Sequence, residues 1–473
     1  MEFDKDLRSR QEVRQLLAAA EAAYQELKHF DQSSIDKIVA AIAEAGSRNA
    51  AMLGKMACEE TGFGNAEDKA EKNRFASERV HAAIKNMKTV GILRKEDKLW
   101  DIGVGVGVIA GIVPSTNPTS TVIYKAMIAL KAGNAIVFSP HPGAVNCTRK
   151  AAELIAQAAY AAGCPQGAIG CIGTPTMDAV QELMHHKYTK LILATGGGAM
   201  VRAAYSSGKP AIGVGAGNGP AYIHKSADIA KAVKDIIRSK TFDNGTICAS
   251  EQSVILEDCC AERVREEFKR QKAHFLTTEE AGKIAKILLR ADGSMNPKVV
   301  GKTAFEVAQF AGVTVAPDTS VLIAHETQAG PTRPYSREKL CPVLALFVER
   351  DENTILKRAI DVLLGEGAGH TFSIHATDTQ VIERFALQIP VSRFLVNTPS
   401  SLGGVGYSTK LFPALTLGCG AVGGSSSSNN IGPIDLINIR RVAWDSEATK
   451  NTQQSFDASM IDALAEEILK KLR

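Results

Sequence analysis

The feature that most restricts the fold is an alternation between Ile109 and Val214. Two short β-branched runs, IAGIVP and AIVFSP, alternate with two longer apolar-periodic segments, TSTVIYKAMIALKAGN and CTRKAAELIAQAAYAAG. Uninterrupted apolar runs of this length suit strands buried on both faces, and the longer segments suit the helical crossovers that parallel strands require. A strand, helix, strand, helix series therefore predicts an α/β protein with a parallel sheet and ligand sites at the carboxyl ends of its strands. Asn117, in the turn PSTNP, and the SPHP turn, Ser139 to Pro142, fall at two such ends.

The next unit, KLILATGGGAMVRAAYSSGKPAIGV, sets Thr195, Gly196, Gly197 and Gly198 between a strand and a short helix running to Ser207. Glycines at such a junction let backbone N–H groups approach a phosphate at the helix N-terminus. The loop is not G-x-G-x-x-G and has no acidic residue about twenty positions on, so alone it is a weak nucleotide signal. Gly103, Gly105 and Gly107 are excluded as a dinucleotide loop because no helix follows them. That stretch reads instead as an exposed hairpin arm over residues 95–107.

Upstream, residues 5–90 carry helical periodicity in three segments, the second opened by a serine cap at Ser33 or Ser34. Downstream, the organisation changes near residue 223, where a domain boundary is placed. A helix leads into TFDNGTICASEQS, then a strand SVILE and charged helices to about Ala311. This second domain continues to residue 429. The polar stretch DSEATKNTQQS, from Asp445, reads as a linker. The segment after it puts Ile461, Leu464, Ile468, Leu469 and Leu472 on one helical face.

At 473 residues the chain is too long for one ordinary core. Its 55 basic and 51 acidic residues leave a dispersed net charge of +4, with no basic run to bind nucleic acid or an anionic membrane. Nine cysteines without paired CxxC spacing read as reduced thiols of a cytoplasmic protein and name no metal site. No leader sequence or membrane span is expected.

Of those cysteines, Cys248 has the neighbourhood most arranged for chemistry, with Gly245 and small residues before it and Glu251 and Gln252 after. A thiol acts as a nucleophile only as thiolate, and an unperturbed cysteine is a few per cent ionised at neutral pH. On its residues alone, Cys248 is either that nucleophile or a buried, inert thiol.

TFDNGTICASEQS, AYSSGKPAIGVGAGN, GIVPSTNPTST, LTLGCG and GHT together resemble the CoA-acylating aldehyde dehydrogenases. These include the aldehyde dehydrogenase half of bifunctional aldehyde-alcohol dehydrogenases and the propionaldehyde and acetaldehyde dehydrogenases of bacterial microcompartments. The resemblance runs from about residue 8 to 444. It implies an aldehyde dehydrogenase-like fold: a nucleotide-binding α/β domain over 1–223, a catalytic α/β domain over 224–429, and an oligomerisation element made of the hairpin near 95–107 and a strand within 430–444.

It further implies that Cys248 attacks the aldehyde, that Asn117 and the Cys248 backbone N–H hold the oxyanion, and that Glu338 holds the nicotinamide ribose. His370 is implied as a residue assisting CoA or lining the site, against the alternative of a structural histidine. NAD would bind across Thr116, Ser139, Pro140, His141, Thr195, Gly196, Gly197, Gly215 and Glu338. Ser139 and Pro142 stand where many NAD-dependent relatives have the ends of a KPxE turn, so no carboxylate excludes a 2′-phosphate and NADP is admissible. Val214 stands where hydrolytic relatives carry a water-activating glutamate, which implies that CoA rather than water removes the acyl group. The implied substrate is a short aldehyde, acetaldehyde or propionaldehyde, with sulfoacetaldehyde or succinic semialdehyde as alternatives. A hydrolytic enzyme and an inactive scaffold are the competing readings. The implied assembly is a homodimer or homotetramer, and the amphipathic tail over 445–473 resembles the peptides that dock microcompartment enzymes to a shell.

Overall fold

The computed structural model describes residues 4–446 and 458–472. The alternation opening the chain's middle forms a five-stranded parallel sheet in the order β5-β4-β3-β6-β7. Its strands are β3 (Val108–Ile112), β4 (Ala135–Ser139), β5 (Ile169–Cys171), β6 (Thr189–Thr195) and β7 (Ala211–Val214). The central strand β3 is buried at every residue, which is why its sequence shows no polar alternation. The crossover helix Pro118–Lys131 is buried throughout and begins with a proline at its first turn, where the missing N–H costs no helical hydrogen bond.

A second, seven-stranded parallel sheet has the order β10-β11-β12-β9-β8-β13-β14. It contains β8 (Gly219–Ile223), β9 (Glu251–Glu257), β10 (His274–Phe275), β11 (Leu322–His325), β12 (Val343–Glu349), β13 (Gly369–His375) and β14 (Val391–Val396). The chain passes from one sheet to the other between Val214 and Gly219. Thus β8, which the sequence reading assigns to the first domain by placing the boundary at 223, is a strand of the second sheet. The exchange is hidden in the sequence because β7 and β8 are separated only by Gly215, Ala216, Gly217 and Asn218 and read as one run.

A three-stranded antiparallel sheet joins β1 (Gly91–Glu96), β2 (Leu99–Gly105) and β15 (Ile437–Ala443), with Ile437 opposite Gly105 and Ala443 opposite Leu99. The hairpin is therefore β1-β2 over 91–105. It starts four residues before the expected 95 because GILRKE carries few apolar residues, facing water on an exposed strand.

Four helices wrap the N-terminal side: α1 (Lys5–Leu27), α2 (Gln32–Arg48), α3 (Ala50–Thr61) and α4 (Ala66–Arg74). The cap of α2 is Asp31, whose carboxylate accepts from the Ser34 N–H at 2.8 Å, not Ser33 or Ser34. The helix starts two or three residues earlier than a serine cap would place it, because the Asp31 carboxylate takes an orphan N–H of the first turn. Asn65 caps α4 in the same way, accepting from the Asp68 N–H. The helix Ala458–Lys471 exposes Ile461, Leu464, Ile468 and Leu469, as does Leu472 beyond it. The linker expected before it lies, from residue 447 to 457, outside the described residues.

Candidate active site

The carboxyl ends of β3, β6 and β7 meet the loop after Phe242 around a cleft of about 320 Å³ lined by Thr116, Asn117, Val214, Gly215, Cys248 and Glu338 among others. A smaller adjoining cavity, about 170 Å³, holds Ser139 and Pro140 and shares His141, Thr195, Gly196 and Gly197 with the cleft. All nine positions expected to bind the nucleotide thus line one space or the other. Thr195 Oγ1 is buried there without a partner, and a Cβ at Gly197 or Gly215 would meet no atom within 4 Å. An unpartnered hydroxyl beside open space and bare backbone is what a polar ligand such as NAD needs.

Cys248 is the one cysteine of the nine that lines the cleft. Its loop is held in an uncommon conformation: Asp243 and Asn244 both have positive φ, 47° and 50°. Aspartate and asparagine tolerate this region better than most residues, and here three hydrogen bonds fix it. Asp243 N–H donates to Asp68 Oδ2 (2.7 Å), Asp243 Oδ1 accepts from the Asn65 N–H (2.9 Å), and Asn244 Nδ2 donates to the Gly301 carbonyl (2.9 Å). Burial pushes the Cys248 thiol up to about 12, with Glu338 and Cys419 adding to the rise and Arg393 and the residue's own N–H opposing it. That burial favours the thiol over the thiolate.

The Asn117 side of the cleft carries residues that sequence reasoning missed. Lys69 and Lys72, one turn apart on α4, both reach Asp243 Oδ2, at 3.0 and 2.5 Å. Lys69 also donates to the Thr116 carbonyl (3.0 Å), and Lys72 to Asn117 Oδ1 (2.6 Å) and the Thr246 carbonyl (3.2 Å). The Asn117 Nδ2 protons face the Thr246 carbonyl (3.2 Å) and Thr116 Oγ1 (3.1 Å). Burial alone would raise the Asp243 carboxyl, but Lys72 and Lys69 outweigh it and hold it below its ordinary value. Burial draws the Lys72 ammonium down to about 8 against the pull of Asp243. The available signal was the pair of lysines in EDKAEKNRF, spaced to share one helix face with Ala70 and Asn73, the face that is buried.

On the other side, Glu338 stands in a loop. Its Oε1 accepts from the Gly217 N–H at 2.9 Å. Burial raises its carboxyl to about 8, opposed by that hydrogen bond. His370 is fully buried and does not line the cleft; its Nδ1 meets Thr371 Oγ1 (3.0 Å) and its Nε2 has no partner. Burial, with Arg393 adding to it, lowers His370 to about 3, so the ring is neutral. Gly217 separates it from the nucleophile: a Cβ there would come within 1.9 Å of the Cys248 carbonyl oxygen and 3.2 Å of His370 Cε1. Cys419 is buried away from the cleft, and a Cβ on Gly369 would collide with its carbonyl, in keeping with a packing role.

Val214 lines the cleft, and Glu338 is the only carboxylate among the described lining residues. Elsewhere, His224, Glu257 and Glu352 could offer ligand atoms within 4.8 Å of one another, but their carboxylates already engage Tyr222, Lys225 and Arg384. No helix among the described residues is long and apolar enough to cross a membrane.

The aldehyde dehydrogenase family model matches residues 6–282. The bifunctional aldehyde-alcohol dehydrogenase of Escherichia coli is 45% identical over 439 residues, covering 91% of this chain and 49% of the relative, so the chain spans about half the length of that protein. An acetylating aldehyde dehydrogenase structure from Geobacillus thermoglucosidasius is 51% identical with a TM-score of 0.92, covering 93% of this chain and 98% of that one. A propionaldehyde dehydrogenase structure from Rhodopseudomonas palustris, with bound CoA and an acylated cysteine, is 28% identical with a TM-score of 0.84, covering 91% and 97%.

Proposed function

From the premise that this chain belongs to the aldehyde dehydrogenase family, we propose that it is a CoA-acylating aldehyde dehydrogenase, converting a short aldehyde, NAD and CoA to acyl-CoA and NADH. The observation that carries the choice of CoA over water is Val214, which brings no base to the cleft, while Glu338, the only carboxylate among the described lining residues, is tied to the Gly217 N–H.

The Cys248 thiolate adds to the aldehyde carbonyl. The oxyanion that forms takes a hydrogen bond from Asn117 Nδ2, in exchange for the one now resting on Thr116 Oγ1, and a second from the Cys248 N–H. Removing one such donor costs ~10²-fold or more in rate. Thr116, Gly215 and Glu338 in the cleft and Ser139, Pro140, His141, Thr195, Gly196 and Gly197 beside it would hold NAD, which would supply the hydride acceptor. NADP is admissible as well, since Ser139 and Pro142 bring no carboxylate to that cavity. The acyl group left on Cys248 is a thioester, and a second thiol, that of CoA, displaces it with little change in bond energy. His370, neutral and with an unpartnered Nε2, would line the CoA site if the loop at Gly217 moves.

NADH formation measured across C2 to C4, sulfonated and carboxylated aldehydes tests the reading. With acetaldehyde or propionaldehyde, turnover requires CoA, and without CoA one NADH per active site appears. Full-rate turnover without CoA would establish a hydrolytic enzyme instead, and unchanged activity in Cys248→Ala would overturn the assignment of the nucleophile. A preference for the sulfonated or carboxylated aldehyde would reassign the substrate.

The sheet β1-β2-β15 leaves Ile92, Ile439 and Trp444 partly exposed, a surface suited to a second copy of the chain in a homodimer or homotetramer. The C-terminal helix presents its apolar residues to solvent and is read as a docking peptide for microcompartment shell proteins, with the enzyme cytoplasmic and enclosed there. Removing residues 446–473 leaves turnover intact and abolishes co-purification with shells; retained co-purification sinks the docking role.

A further inference from the structure

The geometry points to Lys72, held by Asp243, as the positioning residue that fixes which face of the Asn117 amide is presented to the reacting carbonyl. The inference rests on the assignment of Asn117 as an oxyanion donor and goes one residue deeper.

An asparagine side chain has a donor end and an acceptor end of nearly identical shape, so its own packing does not choose between them. An ammonium does, because it has donors and no acceptor. Lys72 Nζ lies 2.6 Å from Asn117 Oδ1, so the oxygen must face α4 and the NH₂ must face the opposite way, toward Thr116 and Thr246 at the edge of the cleft. Its remaining donors go to Asp243 Oδ2 and to Thr246, whose hydroxyl also donates to Asp243 Oδ2 at 2.7 Å. Asp243 belongs to the nucleophile loop and Asn117 to the loop after β3. One side chain of α4 therefore ties the two catalytic loops together, while Lys69 ties Thr116 to the same carboxylate. Lys72 is itself nearly devoid of solvent exposure, at 3%. Such burial of a long cation is costly unless each of its protons is used, and here they are.

The arrangement also predicts what happens without it. Replacing the ammonium with an apolar group removes the donor that holds Asn117 Oδ1, while Asp243 Oδ2 keeps Lys69 and the Thr246 hydroxyl, so the end of the amide that faces α4 is no longer fixed. Rotation about its terminal bond would then turn Oδ1 toward the carbonyl, where it repels the developing oxyanion.

A double-mutant cycle with Lys72→Met and Asn117→Ala tests this, read in the CoA-dependent NADH assay. Lys72→Met lowers kcat by about 10²-fold, the cost of one lost oxyanion donor. KM for aldehyde and for NAD stays at the wild-type value, and iodoacetamide alkylates Cys248 at the wild-type rate, because Lys69, Asp68 and the Asn65 N–H still hold Asp243 and with it the Cys248 loop. In the Asn117→Ala background Lys72→Met costs nothing further, since both changes remove the same interaction. Lys72→Arg, which keeps charge and donors, recovers part of the rate; it carries the same cycle if the methionine variant does not fold. Unchanged kcat in Lys72→Met, an equal loss on both backgrounds, or a parallel fall in Cys248 alkylation would overturn the inference. Failure of the parent reading is separate: it shows as full activity in Cys248→Ala, whatever Lys72 does.

Discussion

The two sides of Cys248 are built on opposite principles. On the α4 side, Lys69, Lys72, Asp243, Asn117 and Thr246 satisfy one another, and two ammonium groups share one carboxylate. On the other side, His370 Nε2 and Arg393 Nε are buried with no partner, although the Arg393 guanidinium also reaches the carbonyls of Gly369 and Gly418. A buried polar group without a partner costs about 1–3 kcal/mol, so the second side stores a deficit that a ligand or a loop movement can relieve. The contrast separates a rigid wall, which keeps an amide aimed at one point, from a wall that has capacity left for the thiol that arrives second.

The largest way to break this contrast is Gly217→Ala. The added Cβ would stand 1.9 Å from the Cys248 carbonyl oxygen, so the nucleophile loop must move although no side chain of the site is altered. Displacement by about 1 Å costs about 10²-fold in kcat. The fall is expected in steady-state turnover, with the α4 wall intact. Wild-type turnover in this variant would show that the loop tolerates displacement and that the wall is not what limits alignment.

A smaller effect sharpens the electrostatics. Glu338 ionises near pH 8, and once charged it opposes thiolate formation at Cys248. Below that pH the carboxyl is mostly neutral and contributes little; above it, the charge pushes the thiol up. Glu338→Gln keeps the acceptor for the Gly217 N–H and cannot ionise. Its Cys248 alkylation rate should match wild type at pH 6.5 and exceed it at pH 9.5 by about threefold, half a unit of pKa. A ratio independent of pH would exclude Glu338 as the source of that charge.

Much of the site was legible in the residues. The buried runs at β3, β4 and β6 fixed a parallel sheet, and strand ends located Asn117, Ser139 and Thr195 before any coordinates, because side-chain period and crossover length depend only on local order. The motif around Cys248 was identifiable through resemblance. Lys69, Lys72 and Asp243 were not, since a lysine in a charged nine-residue helix reads as solvated unless burial is known. The change of sheet after Val214 was also hidden, as two strands separated by four small residues carry one continuous pattern. His370 sat in a quoted motif, yet its separation from the cleft by Gly217 is a fact of packing between β8 and β13.

The sequence by itself determined which segments are strands and helices, which cysteine is flanked by small residues, and that the position of the hydrolytic base is a valine. The first two follow from residue type and spacing along the chain, and the third from the resemblance to the acylating aldehyde dehydrogenases. Only the tertiary structure decided that two lysines on α4 share the carboxylate of a loop more than 170 residues away, and that the amide of Asn117 is thereby oriented. Charge pairing in a desolvated interior depends on distance through space, which spacing along the chain does not encode.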